Sequence, residues 1–354
     1  MRATVLSLLL IFGAGCGESY CEGGDCLVHE SGSTSGAGGA GGGVVPAPVP
    51  ADVEVVYDGP MHVRAIAGLS PDEYPHAPRI FLAGAEPGAP MDSIIELGQA
   101  APVWTSASPI VAMEARTTYV LAPENPMPRI AVATGAQVAL LDPEAPNPVV
   151  VIDQPGLEAF PGDHGDTVVF VNGSSTVIET DGVTPVAEVG DGSLFALVGT
   201  SDSHIAAGSM LCFSPATCSA PSGVEPFVDV ISINHLAVTA TASGLIEFQA
   251  RDHTQPFQPT QLPLAGGPVD ITTLVWEGLY TGHSRWWAAG GVGGTAYLAY
   301  HEPASYPGGP RVIEVDLSGY PPIVDAFRLG WSSEARLYMV LEDGRVIAVV
   351  TPHP

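Results

Sequence analysis

The chain contains no lysine. Its 11 basic side chains other than histidine are all arginine, against 38 Asp and Glu, for a formal net charge of −27 over 354 residues. Nucleic-acid binding and adhesion to anionic headgroups both rest on clustered Lys and Arg, so this balance excludes them. Charged residues of either sign are scarce, at 14% of the chain, where a soluble domain carries about 25%. Long apolar runs are missing too: the run Val5–Phe12 is far shorter than the roughly 20 residues a helix needs to cross a bilayer. No amphipathic pattern of helical period extends over twelve residues. Gly (42) and Pro (34) are in excess, which favours turns between short strands over helix interiors. There is no Gly-x-Ser-x-Gly, His-Glu-x-x-His, phosphate-binding glycine loop or EF-hand loop. Those absences weigh against common hydrolases and nucleotide enzymes, and leave open enzymes whose active residues are dispersed.

What is present begins with Met1-Arg2, the run Val5–Phe12, then Gly13-Ala14-Gly15-Cys16. One positive charge, a short apolar core and small residues form an export signal over residues 1–15. The end of this signal resembles the lipobox of bacterial lipoproteins, with Gly13 where that family usually has Leu. The resemblance implies cleavage before Cys16, acylation of Cys16 and a lipid anchor to the membrane. Gly17 stands where an Asp commonly retains such proteins at the inner membrane, so the implied address is the outer membrane, facing the periplasm or the cell surface. The other reading is an ordinary secretory signal cut near Ala14 or Gly15. Residues 16–51 then read as a tether: Ser31 to Gly43 cannot bury apolar surface, and Val44 to Pro50 alternates proline. Such a coil spans about 30 Å, enough to hold a domain off a membrane.

Apart from Cys16, four cysteines remain, in two local pairs: Cys21 with Cys26, and Cys212 with Cys218. Three pairings are formally possible. Disulfides suit an exported protein, and a four-thiolate zinc site would need tighter Cys-x-x-Cys knuckles.

From Asp52 to Pro354, runs of four to eight residues rich in Val, Ile, Thr and aromatics alternate with turn residues. Pro128–Asp153 reads strand, turn at Thr134-Gly135, strand, turn at Asp142-Pro143, strand. Asp166–Gly190 repeats the plan with Asn172-Gly173 and Asp181-Gly182, and Arg336–Pro352 repeats part of it with Asp343-Gly344. Antiparallel meanders recurring about every 40 residues are the mark of a β-propeller. Residues 52–354 thus resemble β-propellers in general, without the Trp-Asp signature of the WD40 type. The expectation is an all-β propeller of about seven blades, with Val53–Tyr57 completing the last one. The alternative is a tandem pair of β-sandwich domains.

Candidate sites are sparse. Asp163-His164-Gly165-Asp166, with Glu158 just before it, has the oxygen and nitrogen donors a metal ion requires, though Asp and Gly are also plain turn formers. Asp72-Glu73-Tyr74-Pro75-His76 is a second such cluster. His204 and His235 would line the central channel if they opened inner strands. Asp163, Asp166, His204 and His235 are therefore the metal nominees, with Ca²⁺ the ion considered and no cofactor otherwise evident. Trp286, Trp287 and Tyr297 are the ligand-binding aromatics, yet the two adjacent tryptophans must point to opposite faces of a strand. The expected function is a membrane-anchored extracytoplasmic binding or scaffold module for a protein or glycan. A Ca-dependent propeller hydrolase or lactonase, and a structural surface lipoprotein without a dedicated ligand, are the alternatives.

Overall fold

The computed structural model describes residues 47–69, 78–119, 126–145, 147–162, 166–172, 176–182, 185–190, 205–207, 210–214, 217–219, 227–233, 236–241, 244–249, 258–262, 269–280, 283–302, 311–329 and 335–350. Two short segments come first, β1 (Val49–Pro50) and β2 (Val53–Tyr57). A meander follows of β3 (His62–Leu69), β4 (Arg79–Ala85), β5 (Asp92–Glu96) and β6 (Pro102–Ser106). The next is β7 (Ile110–Tyr119), β8 (Pro126–Thr134), β9 (Val138–Leu141) and β10 (Val150–Ile152). A third comprises β11 (Gly156–Pro161), β12 (Val168–Asn172), β13 (Thr176–Thr180) and β14 (Pro185–Gly190).

A three-stranded sheet, β15 (Ile205–Ala207), β16 (Met210–Ser214) and β17 (Thr217–Ser219), comes next. Then follow β18 (Phe227–Ile233), β19 (Leu236–Thr241), β20 (Gly244–Gln249) and β21 (Gln258–Leu262). The succeeding meander is β22 (Asp270–Tyr280), β23 (His283–Val292), β24 (Thr295–Glu302) and β25 (Arg311–Asp316). The last is β26 (Ile323–Leu329), β27 (Arg336–Leu341) and β28 (Val346–Val350).

Among the described residues these strands form seven sheets. Their first strands pack in a ring: β3 on β7, β7 on β11, β18 on β22, β22 on β26 and β26 back on β3. This is an all-β propeller, and the tandem-sandwich alternative does not apply. The expectation of about seven blades needs correction. Five sheets are complete meanders of four consecutive strands. Of the other two, one has three strands, and the last is completed from the N-terminus, where β2 pairs antiparallel with β28. Val49 and Pro50, read above as the end of the tether, pair in parallel with Val315 and Asp316 at the outer edge of β25.

The core is divided among the gaps between sheets. One cluster joins Phe81 and Ile94 to Ile130 and Leu141, another joins Trp287 and Leu298 to Leu337 and Ile347, and a third joins Val340 and Val346 to Val63 and Leu82. Both faces of the β7–β10 sheet are covered, which is why a strand such as Val138–Leu141 is apolar without alternation. Arginines clip neighbouring blades. Arg79 makes a two-pronged pair with Glu96 at 3.0 and 2.6 Å and also reaches Glu144 of the next blade. Arg129, almost fully buried, holds Asp142 at 3.3 Å and Asp166 of the next blade at 2.8 Å.

Each first strand of the complete ring except β15 carries a β-bulge near its start, between Val63 and Ala65, Ile110 and Ala112, Gly156 and Glu158, Phe227 and Asp229, Ile271 and Thr273, and Ile323 and Asp325. A bulge presses its backbone toward the partner strand. Opposite two of them the partner is glycine: a Cβ on Gly84 would collide with the His62 carbonyl, and one on Gly290 with the Asp270 carbonyl. Gly290→Ala is expected to cost about 2–4 kcal/mol in denaturant unfolding. Gly319→Ala, whose Cβ meets nothing within 4 Å, should stay within about 0.5 kcal/mol of the parent. Equal effects of the two substitutions would contradict this packing.

Candidate functional site

The repeated bulges place a ring of side chains around the axis. The residue just after the bulge is Glu158 in β11, Asp229 in β18 and Asp325 in β26. The Ile66 N–H donates to Asp325 Oδ2 at 2.9 Å, and the Leu274 N–H donates to Asp229 Oδ2 at 2.6 Å. Ile66 and Leu274 each stand one residue beyond the matching position, Ala65 or Thr273, of the next blade. The same bond made twice with the same offset sets the bulges at one level. These carboxylates thus serve two ends: they tie adjacent inner strands together and bring negative charge to the channel.

Crowding of that charge changes its chemistry. Burial, then the charges of Asp229, Asp325 and Glu114, push the Glu158 carboxyl well above the usual carboxylate range. Burial pushes Asp325 up to about 7, against the lowering effect of the Ile66 and Ala326 N–H groups, with Asp229 raising it further. Glu114 belongs to β7, two residues past Ala112 and so on the same strand face, roughly 7 Å further along the axis. Glu158 and Asp325 lie deep among protein atoms yet keep partial solvent exposure.

In four of the six bulges the inserted residue is aliphatic and at least partly exposed, while β22 has Thr272 there, its hydroxyl donating to the Ile323 carbonyl at 2.7 Å. Val111, Val228 and Val324 have 49%, 44% and 37% of their surface in solvent, and Leu157 is half-buried. In the first blade this place is held by Arg64, which is paired with Asp92, whose Oδ2 also accepts the Ile110 N–H at 2.6 Å.

Other nominated residues fall elsewhere. The Asp166 carboxylate is held by Arg129, while Asp163, His204 and His235 lie outside the described residues, as do Cys16, Cys21, Cys26 and the Asp72–His76 cluster. Among the described residues no group of three or more His, Cys, Asp and Glu is placed to hold a metal ion. Cys212 and Cys218 stand directly opposite each other on β16 and β17. Trp286 and Tyr297 are enclosed in the core toward β19 and β20, and Trp287 in the core toward β27 and β28, so none offers an exposed face to a ligand. The reason is the covering of both sheet faces. His301 stacks on Trp286 with ring centroids 3.9 Å apart, and burial lowers its pKa to about 3.

Asp229 and Asp325 were missed by the sequence reading, and Glu158 was noted only as a neighbour of Asp163. A signal was available: Pro109-Ile110-Val111-Ala112, Pro155-Gly156-Leu157-Glu158, Pro226-Phe227-Val228-Asp229 and Pro322-Ile323-Val324-Asp325 are variants of one string. Proline suits the first position of a strand because it has no N–H to offer the ladder.

No family model matches the sequence, and no curated protein does. Solved structures do match. The β-propeller domain of Cps50 (Swd1) from Myceliophteria thermophila is 12% identical, with a TM-score of 0.56 over 85% of this chain and 100% of that domain. A chain of a mitotic checkpoint complex is 10% identical, with a TM-score of 0.54 over 86% of this chain and 96% of its own length. The protein is a β-propeller. At such identities the likeness concerns the fold and carries no activity.

The raised acid group makes stability depend on pH. An unfolded Asp titrates near 4, whereas folded Asp325 titrates at about 7, so the folded state holds the extra proton between those values. Its contribution is present below pH 4 and is lost as pH rises through 7, at up to about 1.4 kcal/mol per pH unit. Asp325→Asn keeps an acceptor for Ile66 and removes this loss. Relative to the parent, the variant should gain stability steadily from pH 4 to 7.5. The titration of His301, lost as pH falls from 6.5 toward 3, is common to both proteins and cancels, while removal of the Asp325 charge lets the Glu158 carboxyl fall toward its ordinary range and adds to the same trend. Parallel pH profiles would refute the assignment.

Proposed function

We propose that the protein is an exported, lipid-anchored scaffold whose propeller holds a protein partner outside the cytoplasm. The observation that carries this reading is the set of exposed aliphatic residues repeated at one level around the axis. Exposed apolar groups gathered on one face of a soluble fold mark interaction sites. The propeller likeness, which includes a chain of a multiprotein complex, supports the same class. The glycan reading leaned on Trp286, Trp287 and Tyr297, which are buried, so protein is the retained partner class.

The anchor is the Cys16 lipid implied by the signal segment, residues 16–46 act as the spacer, and the outer membrane is the address. Cys212 and Cys218 form a disulfide across the β16–β17 pair: facing positions in an antiparallel pair have Cα atoms about 4.5–5.5 Å apart, within the range a disulfide spans. The test is chemical cross-linking in intact cells followed by purification of the full chain. A single partner recovered in fixed proportion is the expected result, and recovery of the chain alone would reject the scaffold. A Cys16→Ser variant should appear in the soluble fraction; if it stays with membranes, the lipid anchor is rejected.

A further inference from the structure

We propose that the outer edge of β10 adds an extended strand from a protein partner, one whose apolar residues rest on Val149 and Val151 and whose flanking Arg or Lys meets Asp153. This surface is separate from the collar at the channel mouth and gives the scaffold a point of attachment at its rim. It rests on the scaffold reading only for the existence of a partner in the cell.

β10 is the last strand of its sheet, and among the described residues no strand pairs with its outer side. Val150, Val151 and Ile152 are all β-branched and aliphatic, the composition that most favours pairing. The other described outer strands carry a guard or a cover. β2 has Glu54, β14 has Glu188, β21 has Pro259, and β17 has Thr217 and Ser219 in place of aliphatic residues. β6 opens at Pro102 beside an irregularity in its register, and β25 is covered by β1. Charge, proline and irregular register are the usual means of keeping an edge from recruiting strands. Apolar surface also lies open beside β10. Val149 and Val151 have 37% and 47% of their surface in solvent. Val151 stands opposite Ala139, which with Leu141 belongs to the core shared with the β3–β6 sheet, where Val103 and Trp104 rest half-buried. Val151 therefore carries that apolar face out to the rim. The open charge nearby is negative. Asp153, directly after β10, is exposed and forms no hydrogen bond or ion pair with a described residue. The neighbouring arginines are engaged: Arg79 holds Glu96 and Glu144, and Arg129 holds Asp142 and Asp166.

The molecule already uses this solution once. Val49 and Pro50 add in parallel to the outer edge of β25, opposite Val315 and Asp316, so the rim accepts an extra strand without disturbing the sheet behind it. Main-chain hydrogen bonds give an added strand its affinity, and its alternate side chains give specificity. A second copy of this chain fits poorly, because it brings a net charge of −27 and its own Asp153 to the same edge. A basic flank on the guest turns the surrounding acid into attraction instead.

The experiment titrates the detergent-solubilised full-length chain with a fluorescent peptide, Arg-Thr-Val-Thr-Val-Thr-Arg, whose palindromic order serves either strand direction. Two twins accompany it. One is N-methylated on its three central residues, which keeps every side chain and removes the donors, and the other has Glu in place of both Arg. The parent peptide is expected to bind about tenfold tighter than either twin and to slow hydrogen exchange at Val150, Val151 and Ile152. Val151→Lys puts a charge on the edge and should weaken the peptide about tenfold. Val350→Lys, at a valine of β28 that is 44% exposed, adds the same charge elsewhere and should leave binding within about twofold. Thermal unfolding confirms that both variants are folded. If Val151→Lys misfolds, the N-methylated twin and the exchange pattern still decide the matter on the parent protein. Equal binding of either twin, protection at another edge, unchanged binding by the Val151→Lys variant, or no peptide binding at all would overturn the proposal. So would a concentration-dependent dimer that Val151→Lys abolishes while the peptide is inert, since the edge would then join two copies. If the peptide fails but a cross-linked cellular partner is recovered, the proposal fails and the scaffold reading stands. If the peptide binds as expected but no cellular partner is recovered, the scaffold reading fails and the edge chemistry stands.

Discussion

A chain beginning at Asp58 is expected to melt about 10–15 °C below the full-length protein and to aggregate on heating. That truncation removes β2, the outer strand of the last blade, whose residues Val53, Glu54, Val55 and Tyr57 pair with Val349, Ala348, Ile347 and Val346. Val53 packs on the core around Trp287 and Leu337, and Val56 and Tyr57 pack on the core around Val340 and Val346. The Tyr57 hydroxyl accepts the Met61 N–H at 3.1 Å, and Arg336 pairs with Glu54. Half-burial of three such side chains contributes about 1–1.5 kcal/mol each, and the ladder adds a comparable amount in total. A loss of about 6–9 kcal/mol corresponds to about 10–15 °C for a domain of roughly 300 residues. Loss of β2 also bares β28 as a long apolar edge, the kind of surface that recruits other chains. A chain beginning at Val53 loses the two-residue pairing of β1 and the small contact of Ala51 with the core, and should melt within a few degrees of the parent. The comparison is made by calorimetry, and equal melting of the two truncations would show that β2 does not close the ring.

The second large effect is expected at Trp287. Its side chain is 0% exposed and joins β23 to β24, β27 and β28, with Tyr300 tilted against it at 4.8 Å between ring centroids. Trp287→Ala should cost about 3–5 kcal/mol, because rigid sheets on both sides cannot collapse into the space left. Trp287→Phe retains most of the buried area and should cost less than half as much. Chemical denaturation of both variants decides the matter. A Trp287→Ala penalty below about 1 kcal/mol would mean that this gap between blades is loosely packed.

The contrast between Trp286 and Trp287 shows how far a strand pattern can be read. Adjacent positions in a strand must face opposite ways, and they do. What the pattern could not say was that both faces are interior. That depends on having a blade on each side, a property of the ring rather than of the strand. The hairpin units were legible for a similar local reason. Pro128–Asp153 and Asp166–Gly190 correspond to β8–β10 and β12–β14, and in each the innermost strand was left out of the unit. Gly156–Pro161 and Phe227–Ile233 went unread as strands because they carry Pro, Gly or acid where a strand is usually apolar. Those are the residues that shape the channel.

Amino-acid order alone determined the all-β class, the repeat of about 40 residues and the strand Val53–Tyr57 that closes the last blade. These follow from period-2 patterning, turn chemistry and chain length, all of which act over a few residues. The tertiary structure decided which acids meet. Glu158, Asp229 and Asp325 are spread over 168 positions of sequence, and Asp166, only eight positions from Glu158, is turned instead to Arg129. The physical reason is cyclic closure: a ring brings the same position of every blade to one axis, and no local signal encodes proximity to that axis.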